Sequence, residues 1–464
     1  MTSYSRIASI RKRFGVVKKR FNFQLQKYCK ETTLHGFHYI TSNSSSPLSS
    51  LIWFCICCLS LAFCLYLINL QLITYTTKRV NTNIATTVYP IYDVPFPSVT
   101  ICNVNVVYKN NTGPIRKVLA GKIPEAHIND FFYNLSTLVL NDNLYGNMHA
   151  KSYEEITGLL EEAGYNTEIL MQTLAQPCEA MLLRCKWNDK DTNCSSLFTH
   201  IKTTYGFCCS FNYKNVLHGN NATFSDVFVS GVGPQFGLKV SLNIDEDQYV
   251  SPIKPYHGLE VAIHEPYQFP DMVFASTTLS PGYKIALPMD PTVFSSDEDI
   301  RVIGKKNRGC IFYDERQMSW TRKYSFSSCI TDYNLSKSMK KCHCLSQCNQ
   351  VTYEYRTVHQ YYSSPVVGYD DDSINETVLN VYFNDVACTQ YKRSIYITWD
   401  SLLASIGGIF GLCMGGSIIS LIEIVYFFVQ LLIYRPLKNK VLNVKPNYNA
   451  QIYVAELYPS TFKK

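Results

Sequence analysis

Twenty-three consecutive residues, Leu51 to Ile73, carry no formal charge, and no other feature so restricts what this chain can fold into. At 1.5 Å of rise per helical residue, about 20 apolar residues cross the hydrocarbon core of a bilayer. The run begins well into the chain and is too long for the core of a cleaved signal peptide, so it reads as a membrane span. A second apolar block, Leu402 to Tyr434, has Glu423 as its only formal charge. It is longer than one straight crossing needs, which predicts a bent, tilted or interrupted helix.

Basic residues orient the two spans. Arg6, Arg11, Lys12, Arg13, Lys18, Lys19, Arg20, Lys27 and Lys30 precede the first block, against Glu31 alone. Arg435, Lys438, Lys440, Lys445, Lys463 and Lys464 follow the second, against Glu456 alone. The positive-inside bias makes both tails cytoplasmic. The net charge of +7 sits in these tails; topology and attraction to anionic lipid account for it, and no nucleic-acid partner is expected.

The predicted organisation is a cytoplasmic tail (1–50), a first span (51–73), an extracellular domain (74–398), a second span (399–434) and a second cytoplasmic tail (435–464). Two further signals place the middle outside the cell. Of the 18 cysteines, 12 fall there: Cys102, Cys178, Cys185, Cys194, Cys208, Cys209, Cys310, Cys329, Cys342, Cys344, Cys348 and Cys388. An even number in an oxidising compartment reads as a disulfide framework. Glycosylation sequons cluster in the same stretch, at Asn110, Asn134, Asn193, Asn221, Asn334 and Asn375. His343 between Cys342 and Cys344 suggests zinc, but an extracellular setting favours disulfides, and no metal site or cofactor is expected. No G-x-S-x-G, P-loop or H-E-x-x-H pattern argues for an enzyme.

Within this domain, Val88 to Val107 is rich in β-branched residues. From about Thr112 to Lys186 the pattern turns helical, most clearly over Ser152–Ala163 and Thr167–Leu183, with Asp130–Leu140 a shorter candidate. Strands are expected from Gly206 to about Ile303; Gly237–Ile244 and Gly258–His264 alternate apolar and polar residues. The fold class is therefore an α+β membrane protein, with two transmembrane helices flanking a large β-rich, disulfide-stabilised domain that carries a helical excursion.

The second span carries the chemistry. It reads Leu402-Leu403-Ala404-Ser405-Ile406-Gly407-Gly408-Ile409-Phe410-Gly411-Leu412-Cys413-Met414-Gly415-Gly416-Ser417 and continues to Glu423. Its glycines allow two readings. Gly408, Gly411 and Gly415 fall on roughly one helical face and suit close helix packing. Alternatively, Gly415-Gly416-Ser417 leaves the helical state, which a membrane tolerates only where the freed backbone faces protein or water. Glu423 tips the balance, because an intramembrane carboxylate by default marks an ion pathway. One such carboxylate per subunit, repeated by symmetry, makes a ring that attracts cations.

Together these residues resemble the degenerin/epithelial sodium channel family, the insect pickpocket branch most of all. The elements are, in order, Leu34-His35-Gly36-Phe37, the first span with Trp53, and Phe96-Pro97-Ser98-Val99-Thr100-Ile101-Cys102-Asn103. Gly206-Phe207-Cys208-Cys209-Ser210-Phe211-Asn212, Arg308-Gly309-Cys310, Cys342-His343-Cys344-Leu345-Ser346-Gln347-Cys348-Asn349 and the Gly407-to-Glu423 segment follow. The resemblance implies a homo- or hetero-trimeric, sodium-permeable and often amiloride-blockable channel, set in lipid at the plasma membrane. Its outer domain would comprise palm, helical finger, thumb and β-ball.

The resemblance carries the selectivity filter onto Gly415, Gly416 and Ser417, with Gly at a middle position where Ala or Ser is common. His35-Gly36 matches the cytosolic gating motif. Ala404 falls where bulky substitutions hold relatives open, and Ser405 stands where acid-sensing relatives carry Asp. The resemblance also implies the pairs Cys102–Cys208, Cys185–Cys194, Cys178–Cys209, Cys310–Cys348 and Cys329–Cys344. Between Cys329 and Cys342 the usual second stretch of thumb is missing, and Tyr333 replaces a Cys. Cys342 and Cys388 are left to pair with one another.

The leading reading is a subunit of a sodium-selective channel gated from outside by a chemical, acid or mechanical stimulus. A non-conducting accessory subunit is the alternative, motivated by the shortened thumb. A non-channel surface receptor has no account of the glycine-broken span. The acidic runs Asp297-Glu298-Asp299 and Asp370-Asp371-Asp372 read as solvated turns.

Overall fold

The structure, a computed structural model, describes residues 25–41, 46–140, 150–214, 225–273, 276–318, 321, 323–336, 344–361 and 376–433. It divides into two compact units: Met1–Thr76 with Ile397–Lys464, and Thr77–Tyr396.

Among the described residues the larger unit has two large sheets and a small two-stranded one, Cys310–Ile311 with Ser346–Gln347. The organising strand of the first is Tyr283–Ser296, 14 residues long. Its first half lies parallel to Thr377–Phe383 and antiparallel to Val358–Tyr361; its second half lies parallel to Ala387–Ile395 and antiparallel to Gln350–Tyr355. Pro291 falls between the two parallel neighbours, whose registers end at Met289 and resume at Thr292. A residue without an amide donor is tolerated at such a gap. Val80–Pro90 closes one edge, and Leu238–Leu242, Leu182–Trp187 and Lys190–Thr192 extend the other.

The second sheet has five strands, in the order Phe198–Thr203, Gly206–Phe211, Ser98–Asn103, Leu259–His264 and Ser276–Leu279. One apolar core is drawn from both sheets, with Ile101, Phe211, Val261, Val240, Leu287 and Val381 all buried. Each such aliphatic or aromatic side chain contributes about 1.5–3 kcal/mol by leaving water.

The Leu259–His264 strand alternates in sequence, yet every one of its residues is buried. Its polar face is covered by partners rather than by solvent. The Glu260 carboxylate accepts from Lys254 Nζ at 2.7 Å, Tyr256 Oη at 2.7 Å, Ser276 Oγ at 2.6 Å and Thr278 Oγ1 at 2.9 Å. His264 Nδ1 lies 2.9 Å from the Glu265 carbonyl and must donate there, so Nε2 accepts from the Thr100 hydroxyl at 2.8 Å. Burial holds this imidazole neutral, with its pKa lowered to about 4.

The helical excursion comprises Thr112–Leu119, Glu125–Leu140, Ala150–Glu162 and Thr167–Leu174, around a separate core that includes Ile115, Phe131, Phe132 and Leu160. The helix expected over Thr167–Leu183 is shorter. Asn166 caps it, its Oδ1 accepting from Ile169 N at 2.8 Å. It ends at Leu174, ahead of Pro177, which biases its predecessor away from helical geometry. After one turn, Cys178–Met181, the chain enters the strand Leu182–Trp187, so Leu182 and Leu183 are extended rather than helical.

Among the described residues, five disulfides cross-link this unit: Cys102–Cys208, Cys178–Cys209, Cys185–Cys194, Cys310–Cys348 and Cys329–Cys344. Cys208 and Cys209 are adjacent in one strand and point to opposite faces, so together they tie that strand to two elements. Cys388 is a buried free thiol opposite Tyr89 on the neighbouring strand. Its expected partner Cys342 lies outside the described residues, as do Asn221 and Asn375. Asn110 and Asn193 are exposed, Asn134 is half-buried on the helix Glu125–Leu140, and Asn334 lies in the helix Phe326–Ser336.

The smaller unit contains a short helix over 25–31, a turn through His35 and Gly36, and the helices Phe37–Ile40, Pro47–Thr77, Trp399–Met414 and Ile418–Ile433.

Candidate functional site

Pro47–Thr77 is long and apolar enough to cross a membrane. Trp399–Met414 and Ile418–Gln430 pass the same test only when taken together, and they are bent by 75° at the break between them.

Local chemistry explains the break. Gly415 adopts the left-handed conformation at φ 64°, ending the first helix as a C-terminal cap, and its N–H donates to the Gly411 carbonyl at 2.8 Å. Two residues later Ser417 starts the next helix. Its backbone N–H donates to Ser420 Oγ at 3.1 Å, while the Ser420 N–H donates back to Ser417 Oγ at 3.4 Å. This reciprocal pair is a capping box with serine at both positions. The glycine stop and the serine start fall two residues apart, so one straight helix cannot run through.

The segment ahead of the first long helix packs into this break. His35 N–H donates to the Met414 carbonyl, one of the orphan acceptors at the helix end, at 2.9 Å. A methyl group on Gly415 would lie 2.3–2.5 Å from His35 ring atoms, so glycine is required there for space as well as for φ. Gly36, at φ +85°, is closed in on its other side: an added Cβ would meet Cys57 Sγ at 2.8 Å. Tyr39 stacks on Trp53 with ring centroids 4.6 Å apart, and Tyr28 meets Phe427 edge-on at 4.8 Å.

Thr33 joins this segment to the start of the helix Ile418–Ile433. Its hydroxyl lies 2.7 Å from Ser420 Oγ and donates to Glu423 Oε2 at 3.1 Å; its backbone N–H reaches the same carboxylate oxygen at 3.3 Å. With Thr33 donating to Glu423, the Ser420 hydroxyl donates to Thr33. Glu423 is thus partnered within its own chain, by the residue two positions ahead of His35. Ser60 on the first long helix fixes the other side, donating to the Cys413 carbonyl at 2.6 Å.

The structure brings together His35, Gly36, Gly415, Gly416, Ser417 and Glu423. Gly416 faces the ring of Phe410, which a Cβ would approach to 2.1 Å. Ser417 is exposed. Ala404 and Ser405 sit apart from the break, earlier in Trp399–Met414; eleven residues at 1.5 Å each put Ala404 about 16 Å along the helix from Gly415. Sequence reasoning missed Thr33, Ser60, Phe410 and Ser420. Only Ser420 carried a local signal, the three-residue spacing from Ser417; the others act through packing partners that no spacing reveals. In the larger unit, Asp297 pairs with Lys392 at 2.8 Å and Glu298 with Arg301, so these acidic residues have structural partners. Asp370-Asp371-Asp372 lies outside the described residues.

Comparison with known proteins places these features. The family model "Amiloride-sensitive sodium channel" matches residues 28–345 and 332–427. The chain is 22% identical to the sodium channel protein Nach of Drosophila melanogaster, covering 87% of this chain and 86% of that protein. It is 23% identical to pickpocket protein 11 of the same organism, over 89% of this chain and 77% of the relative. It is also 23% identical to acid-sensing ion channel 1C of Danio rerio, over 90% and 84% respectively. The matched stretch takes in both the disulfide-bonded unit and the glycine-broken helix pair, and the chain belongs to the amiloride-sensitive sodium channel family as a pickpocket-like membrane protein.

Proposed function

We propose that this chain is a subunit of a trimeric, sodium-selective and amiloride-sensitive channel in the plasma membrane, with both termini cytoplasmic. Its filter is Gly415-Gly416-Ser417, its spans are 51–73 and 399–434, and residues 74–398 form the extracellular domain of palm, finger, thumb and β-ball. The observation that carries this reading is the capped break between Trp399–Met414 and Ile418–Ile433, with the His35-Gly36 turn docked into it. Non-helical backbone at membrane depth is tolerated where it faces protein or a water-filled path, and a cation path needs such oxygens together with negative charge. Family membership supports sodium as the permeant ion. Ala404 and Ser405 precede the filter on its own helix, so a bulky group at Ala404 would alter how that helix packs.

The test is expression of the chain alone as Ala404→Val, with whole-cell current recorded with and without amiloride. A constitutive, amiloride-blocked sodium current supports the reading. If Gly415 or Ser417 substitutions leave the selectivity of that current unchanged, the filter lies elsewhere.

A second reading, a non-conducting regulatory subunit, is favoured by the shortness of the Cys329–Cys344 loop, whose sequence separation is 15. Protein that reaches the surface and stays silent, but alters current when co-expressed with a relative, would support it instead.

A further inference from the structure

The face of the first sheet turned away from the core carries a row of cations. Along each strand, successive side chains point to opposite faces. Cys185, Val240, Leu379, Val381, Ile285 and Leu287 belong to the core, so Arg184, Lys186, Lys239, Asn380 and Lys284 take the other face. Register gathers these residues from four strands. Lys186 lies directly opposite Lys239, Lys239 opposite Asn380, and Asn380 opposite Ala286. In the antiparallel pairs this puts Cβ atoms about 4.5–5.5 Å apart. Lys284 stands two residues before Ala286, one diagonal step from Asn380. The two cations at the edge are compensated: Arg184 reaches Glu376 at 2.6 Å, and Lys186 reaches Asp191 at 3.4 Å. Lys239 and Lys284, both half-buried, form no ion pair among the described residues. Burial, and then the like charges of Lys284, Lys186 and Arg184, lower the pKa of Lys239, which Asp189 offsets only in part. Between the two lysines, Asn380 is 5% exposed, and its Oδ1 accepts no hydrogen bond. A buried amide oxygen without a donor is costly and rare in folded proteins.

We propose that Lys239, Lys284 and Asn380 form a binding site for hydrogen phosphate, a tetrahedral oxyanion that keeps a proton. Two deficits on this face select it. The two lysines lack negative charge, and their ammonium groups donate strongly to oxyanion oxygens. The Asn380 Oδ1 lacks a donor, which chloride and sulfate do not carry. Hydrogen phosphate supplies both: its bare oxygens accept from the two Nζ groups, and its remaining O–H donates to Oδ1. The lysine stems are long and flexible, so Lys239 can turn outward to admit the anion, whereas Asn380 is held in the middle of its strand. The site lies wholly within the unit Thr77–Tyr396, and the inference does not depend on whether the chain conducts.

The probe is radiolabelled inorganic phosphate, measured by equilibrium dialysis. Full-length protein in lipid nanodiscs is held at pH 7.5 and constant ionic strength in chloride, and binding to protein-free nanodiscs is subtracted. Binding should saturate at one phosphate per chain. Sulfate, which has the same shape and no proton, should compete at least about fivefold less well, the worth of one hydrogen bond. Lys239→Gln should weaken phosphate binding at least about tenfold, the lower end for a hydrogen bond to a charged group. Asn380→Ala should abolish the preference for phosphate over sulfate, because the lysines attract both anions alike. Binding that does not saturate, or sulfate that competes as well as phosphate in the unaltered protein, would overturn the proposal, and neither readout needs a variant to fold. So would a phosphate affinity unmoved by Lys239→Gln in protein of unchanged assembly size, or a preference for phosphate that survives Asn380→Ala.

Discussion

Gly415→Ala is the substitution whose cost follows most directly from the geometry. An L-residue forced into the left-handed region costs about 1–2 kcal/mol. The added methyl would sit 2.3–2.5 Å from the His35 ring, well inside contact distance, so the ring must leave. With it goes the 2.9 Å hydrogen bond from His35 N–H to the Met414 carbonyl, worth about 1 kcal/mol net. The left-handed strain is common to both states, so the lost bond by itself disfavours the docked turn by about 1 kcal/mol, or about fivefold in its equilibrium with the undocked state, and the clash adds to this. Cys57 reports that equilibrium: it is buried, and its sulfur lies directly beneath Gly36. In purified full-length protein the maleimide labelling rate of Cys57, read by peptide mapping, should rise in proportion to the undocked population. Gly408→Ala is the control, because a Cβ there meets nothing within 4 Å. A Cys57 rate unchanged by Gly415→Ala, in protein that assembles normally, would refute the packing of His35 against the break.

Other consequences are testable in the same preparations. Thr33→Val keeps the shape of the side chain but removes its hydrogen bonds to Ser420 and Glu423. A bond to a charged group is worth about 1.5–3 kcal/mol, so Cys57 labelling should rise here as well, and Glu423→Gln should weaken the contact less because the amide oxygen still accepts. His264 makes the larger unit sensitive to acid. Its folded pKa of about 4 lies below the ordinary value of about 6.5, so its stabilisation is complete above pH 6.5 and is lost as pH falls from 6.5 towards 4, about 3 kcal/mol in all. Burial raises the carboxyl of the adjacent Glu265, which opposes this trend, so the difference in melting temperature between the parent and His264→Asn at pH 7.5 and pH 5 isolates the imidazole. A parent–variant difference that does not change with pH would contradict this assignment. Replacing Cys102 and Cys208 together by serine should cost about 2–5 kcal/mol, seen as a lower melting temperature.

Much of this molecule was legible in the order of its residues. The charge-free run Leu51–Ile73, the glycine-rich block before Glu423 and the clustered cysteines each act through short-range chemistry. Hydrophobic length, backbone freedom at Gly415 and the helix-starting habit of Ser417 need no distant partner. Family resemblance added the cysteine pairs, which spacing alone does not determine. Where the sequence misled, a long-range contact had overridden a local pattern. Leu182 and Leu183 continue an apolar helical pattern, but Pro177 ends the helix and Leu182–Trp187 pairs with Leu238–Leu242 instead. The alternating segment Leu259–His264 is the expected strand, and a polar cluster around Glu260 covers its polar face.

The tertiary structure alone decided what surrounds the glycine-broken helix. Glu423 reads in sequence as a solitary carboxylate in an apolar run. Folding brings Thr33 to it across 390 positions, because the segment that carries His35 docks where two helices leave a gap. Sequence leaves the glycines of this block two readings, close packing or a break, and the structure breaks the helix at Gly415. The steric fit between that glycine, the His35 ring and the sulfur of Cys57 fills the gap, and such a fit exists only once residues hundreds of positions apart have been packed together.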